Sequence, residues 1–101
     1  MNRAQILDQA KEYITRDRAS THGKAEDNFS NIAGGWDWWL SIRQGGPLTA
    51  YDVSVMMTLF KVARAAGNPS HLDNNVDGVG YFAIAGELGS KMAAISHPVE
   101  A

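Results

Sequence analysis

Between Asp73 and Lys91 acidic residues recur at helical spacing inside an otherwise apolar stretch, and no other part of the chain spaces its reactive groups so regularly. At about 100° per residue, Asp73, Asp77, Gly80, Ile84 and Glu87 fall within about 80° of one another on one helical wall. Such a wall can direct carboxylates and a bare patch of backbone at a single ligand. Val76, Ala83, Ile84 and Leu88 flank it, and a carboxylate buried among such neighbours needs a cation, a proton or several hydrogen bonds. Mg²⁺ meets that need, because it takes oxygen ligands and keeps waters that substrate phosphates can replace. In the plainer alternative Asp73 is stabilised by the helix N-terminus, while Asp77 and Glu87 are half exposed or paired with Lys or Arg.

Cationic groups that suit a phosphate lie elsewhere. Lys61 and Arg64 share a side of the third helix and can clamp an anion, or can snorkel to the surface. The polar loop after the first helix carries Arg16, Arg18, His22 and Lys24 with Ser20, Thr21 and Gly23. Its guanidinium forks and hydroxyls can close over an anion, or the loop is a solvated connector with His22 as an ordinary surface histidine. Asp27 and Asn31 are four apart and can present oxygens together, unless Asp27 or Asn28 caps the second helix. Asp52 follows Thr49 by three, the spacing of a capping box, and that structural role competes with a catalytic one.

Four helices must position these groups. The first covers residues 3–16, with Ile6, Leu7, Ala10, Tyr13 and Ile14 as its apolar stripe. Residues 26–41 form the second, where Phe29, Ile32, Ala33, Trp36, Trp39 and Leu40 repeat at three and four. Gly34 and Gly35 in its middle mark a kink or a close approach by another helix. Trp38 lies about 200° from Trp36, so one indole is left over for a partner subunit or a nucleobase. The third helix opens at Thr49 and is the most apolar, as befits a central element; its methionines read as core filler. Asn68 and Pro69 fit a cap and first turn for the fourth, with Ser70 as a second start. No strand pattern competes, and the expected fold is all-α, a four-helix antiparallel bundle.

A chain of 101 residues is expected to be one domain, here residues 1–95 with a frayed tail at 96–101. Its size leaves a large share of the surface unburied, so self-association through the second and third helices is expected. The formal charge of -2 gives no reason to expect bulk nucleic-acid binding, which needs many Lys and Arg contacts to phosphates. There is no cysteine for a disulfide frame or thiolate chemistry, which fits the cytoplasm. Neither a signal peptide nor a membrane span is expected.

A family resemblance rests on Arg18, His22 and Gly23; on Asn28, Phe29, Ile32 and Trp36; on Leu48, Thr49, Asp52, Met56, Met57, Lys61 and Arg64; and on His71, Asp73, Asn74, Asp77, Gly80 and Tyr81. In this order, over about residues 13–88, the chain resembles small phage and prophage proteins and the nucleotide-modification-associated domains of phages. More distantly it is similar to the all-helical nucleoside triphosphate pyrophosphohydrolases of the MazG and dUTPase type. That superfamily holds Mg²⁺ with two acidic pairs, each three residues apart, on adjacent helices. The second pair would match Asn74 and Asp77, with Asp73 standing in for an acid; for the first, only Asp52 is available, and Val55 follows it by three. The resemblance therefore implies either a metal site rebuilt from Asp52, Asp73 and Asp77, with Glu26 or Asp27, or a nucleotide pocket without turnover. In the enzyme reading Asp73, Asp77 and Lys61 are catalytic, and Arg18, His22, Arg64 and Asn74 bind the ligand, a nucleotide or other phosphorylated small molecule. In the third reading the acidic face and the spare tryptophan engage a host protein.

Overall fold

The computed structural model describes residues 1–17 and 25–96. Arg18, His22 and the frayed tail expected beyond Ser96 lie outside the described residues. Four α-helices follow one another, α1 (Arg3–Glu12), α2 (Ala25–Ile42), α3 (Ala50–Gly67) and α4 (Leu72–Ser96), and a π-helical turn at Tyr13–Asp17 continues α1. The described residues contain no strand, in keeping with the all-α expectation.

α1 starts cleanly because Asn2 and Gln5 cap it reciprocally: the Gln5 amide donates to Asn2 Oδ1 at 3.0 Å and the Asn2 amide to Gln5 Oε1 at 2.8 Å. Its apolar stripe, however, finds no core. Ile6, Leu7, Tyr13 and Ile14 are all exposed, and the helix packs chiefly on the turn that follows it. Among the described residues the packed unit is therefore α2, α3 and α4.

α3 is the middle member of that unit, packed on α2 along one side and on α4 along the other. Small residues set how closely the helices approach. A Cβ at Gly35 would stand 3.8 Å from Leu59 Cβ, one at Gly78 would stand 3.6 Å from Lys61 Cβ, and one at Gly89 would meet the Tyr51 ring at 3.1 Å. Lys61 thus faces Gly78 while Tyr51 faces Gly89, so α3 and α4 run in opposite directions. Trp36 and Trp39 give the same sense to α2 and α3: Trp36 Nε1 donates to the Met56 carbonyl at 2.7 Å and Trp39 Nε1 to Asp52 Oδ1 at 3.1 Å. Of the two adjacent glycines in α2, only Gly35 serves a close approach; Gly34 has open space around it. Trp38 is the indole left on the outside.

α4 starts later than its proline suggests. Asn68 closes α3, its amide donating to the Ala65 carbonyl at 3.2 Å, and its own carbonyl accepts from the His71 amide at 3.0 Å. The turn occupies residues 68–71, and the helix proper begins at Leu72. Among the described residues only Ile32, Val55 and Ala85 are buried apolar side chains, beside three buried polar ones, Asp52, Ser54 and Asn74.

A candidate anion-binding cleft between α3 and α4

Asp52 is the most heavily bonded carboxylate described. Oδ2 accepts from the Thr49 amide at 2.8 Å and the Thr49 hydroxyl at 3.0 Å, and Oδ1 accepts from Arg43 Nε at 2.7 Å and Trp39 Nε1 at 3.1 Å. Thr49 Oγ1 in turn accepts from the Asp52 amide at 3.2 Å, which completes the capping box expected from the sequence. Burial alone would raise the pKa of this carboxyl. The donors from the Thr49 backbone, Arg43, the Thr49 hydroxyl and Trp39 outweigh that and hold it below its ordinary value. Arg43 is tied at its other end to the carbonyls of Gly46 and Pro47, both at 3.2 Å, so the whole α2–α3 connection closes over Asp52.

These bonds give four donors to two oxygens and leave no lone pair for a metal. Position tells the same way. Asp52 precedes Lys61 by nine residues, about 13 Å along α3 at about 1.5 Å per residue, and Lys61 is the residue that meets Asp77. The structure therefore does not bring Asp52 to Asp73 and Asp77. Among the described residues no three His, Asp or Glu side chains converge as a metal site. Mg²⁺ held jointly by Asp52, Asp73 and Asp77 does not fit this donor set.

What the structure does bring together is Lys61, Asn74 and Asp77. The Lys61 ammonium lies 2.9 Å from Asp77 Oδ2; the lysine side chain is largely covered, while that of Asp77 is half exposed. Asn74 is buried against α3, one turn before Gly78, and its side-chain Nδ2 has no hydrogen-bond partner. Asp73 points into solvent, with His71 Nε2 3.8 Å from its Oδ2. Arg64 does share a side of α3 with Lys61, and both cations lie over the Phe60 ring, at 5.1 and 5.4 Å from its centre. Only Lys61 of the two lines the cleft.

That cleft, of about 400 Å³, is bounded by Thr58, Lys61, Val62 and Ala65 of α3 and by Asn74, Asn75, Gly78, Val79 and Phe82 of α4. Its volume is in the range of small-molecule sites, and its makeup is the usual one of apolar walls with a few polar groups. Gly78 creates part of it by letting α4 sit close to the Lys61 stem. Thr58, Val62, Asn75 and Phe82 were not singled out by spacing in the sequence. The signal for Val62 and Phe82 would have been the exposed apolar positions beside a charged pair, which only the packing of the two helices defines.

Comparison with known proteins places this arrangement in a family. Residues 5–89 match the model described as Domain of unknown function (DUF6378). The Gene 55 protein of Mycobacterium phage L5 is 39% identical over 79 residues, covering 78% of this chain and 49% of that protein. The chain thus spans about half the length of this curated relative. No solved structure matches. With the match running from α1 through most of α4, the chain belongs to the DUF6378 family.

Proposed function

We propose that this chain captures a nucleotide, or a closely related phosphorylated small molecule, in the α3–α4 cleft without turning it over by itself. The observation that carries the reading is the buried, unpartnered Nδ2 of Asn74, a residue that lines the same cleft as Lys61. A buried donor without an acceptor costs about 1 to 3 kcal/mol, and a ligand oxygen would recover that cost on binding. Lys61 supplies a point charge for phosphate, and Phe82 supplies an aromatic face for a base. Asp77 balances Lys61 while the cleft is empty and gives way when phosphate arrives.

A Mg²⁺-dependent pyrophosphohydrolase is the second reading, favoured by the four-residue spacing of Asp73 and Asp77 on α4 and by the pairing of Asp77 with Lys61 of the cleft. It ranks behind capture because Asp52 is fully engaged in its own cap and Asp77 already faces a lysine. Recognition of a host protein through Trp38 and the acidic strip has no cleft to explain and comes third. Similarity to a phage protein suits a ligand of the nucleotide pool in the host cytoplasm. No described helix is long and apolar enough to cross a membrane.

The test is calorimetric titration of the purified chain with canonical and modified nucleotides, followed by phosphorus NMR of the same samples with Mg²⁺. Saturable binding that weakens in Lys61→Gln, with no phosphorus product, supports capture. Pyrophosphate release would overturn it in favour of the enzyme, and a panel without any binding would leave the protein-partner reading in front.

A further inference from the structure

The outer face of α4 has the composition of an interior surface. All four charged residues described on this helix, Asp73, Asp77, Glu87 and Lys91, fall within about 80° of its circumference. The side toward α3 carries Asn74, Gly78 and Ala85. The remaining sector, about 120° wide, carries Leu72, Val76, Val79 and Phe82, which are 68%, 60%, 71% and 59% exposed, with Ala83 among them. A helix apolar on nearly all sides is ordinarily buried on all sides. Here one of those sides has nothing on it.

We propose that a second copy of this chain seats on that face, α4 against α4 about a two-fold axis. Two observations choose this occupant. The sector carries no charge, so two identical faces can meet without burying an unpaired ion, as an isologous contact requires. Among the described residues only three apolar side chains are buried, which is thin for an independent domain and typical of a subunit whose core is completed by its partner. The contact is thereby moved from α2 and α3, where sequence periodicity suggested it, to α4. The contact needs no ligand, but Val79 and Phe82 also line the α3–α4 cleft, so it is tested without nucleotide.

Sedimentation equilibrium of the full chain at micromolar concentration, without nucleotide, tests it. The wild type is expected at twice 11.0 kDa, and Val76→Glu/Val79→Glu at 11.0 kDa with unchanged helical circular dichroism. Because the chain has no cysteine, Val79→Cys gives a single thiol at the centre of the face, and its oxidation should yield a covalent dimer while Asp37→Cys on α2 does not. The cross-link stands as the second readout should the glutamate variant lose helicity. A monomeric wild type, a dimer that survives the two glutamates, or a cross-link at position 37 in place of 79 would each overturn the proposal.

Discussion

Replacing Asp52 with Asn should be the most damaging conservative change in this protein, and the damage should appear in stability. The carboxylate is 3% exposed and takes four hydrogen bonds, two of them within its own capping box and two from Trp39 and Arg43. An amide keeps the shape but turns a donor toward Thr49, whose amide and hydroxyl also donate, and removes the charge facing Arg43. Loss of the cap is worth about 1 kcal/mol and loss of the charge-assisted bond about 2 kcal/mol. A total of about 3 kcal/mol lowers Tm by about 12 to 24 °C in a domain of this size. The acid limb of stability supplies an independent check. With its folded pKa depressed, Asp52 stabilises the wild type fully above about pH 4, the unfolded carboxylate range, and that stabilisation is lost as pH falls through the lower folded value. Thermal melts of wild type and Asp52→Asn across this range should therefore converge at low pH. A drop in Tm of less than about 4 °C at neutral pH, equivalent to about 1 kcal/mol, or parallel acid limbs, would refute the reasoning.

Three further outcomes follow from the same contacts. Lys61→Gln removes the only cation lining the cleft among the described residues and should weaken nucleotide binding about 10-fold or more, the worth of a charge-assisted bond, as read by calorimetry. Asn74→Leu removes a buried unpartnered donor and should raise Tm by a few degrees, about 1 kcal/mol, while abolishing ligand binding; a lower Tm would show that the amide already serves the fold. Gly34→Ala, with open space around the new methyl, should stabilise by about 1 kcal/mol, whereas Gly89→Ala drives a Cβ toward the Tyr51 ring and should gain nothing or destabilise in the same melts.

The helices were legible in the sequence because their signals are local. Thr49 and Asp52 announced a capping box at the right spacing, and the structure forms it. The leftover indole followed from helical geometry alone, and it is Trp38. The same local logic misplaced the start of α4, since Asn68 and Pro69 have the right types for a cap but belong to the turn that ends α3. The site was legible only in part. Lys61, Asn74 and Asp77 were each picked out, yet their meeting depends on the approach allowed by Gly78, a tertiary fact. Asp52 was grouped with Asp73 and Asp77 as an acid, although it lies at the other end of the helix pair and is consumed by Arg43, a loop residue with no periodic signal. The apolar stripe of α1 promised a fourth bundle member, but a stripe states only that a partner is needed, not that the same chain provides it.

The effect of Asp77→Asn on nucleotide affinity separates capture from metal-dependent catalysis most directly, because the two assign opposite roles to this carboxylate. If Lys61 receives the phosphate, Asp77 competes with the ligand for the ammonium 2.9 Å away. Removing a half-exposed partner of this kind is worth up to about 1 kcal/mol. Calorimetric titration of a nucleotide into Asp77→Asn should then show binding up to about fivefold tighter than wild type, equally with Mg²⁺ and with chelator. Binding that weakens in this variant, or that disappears from the wild type when Mg²⁺ is removed, would contradict capture by Lys61 and return Asp77 to the role of a metal ligand.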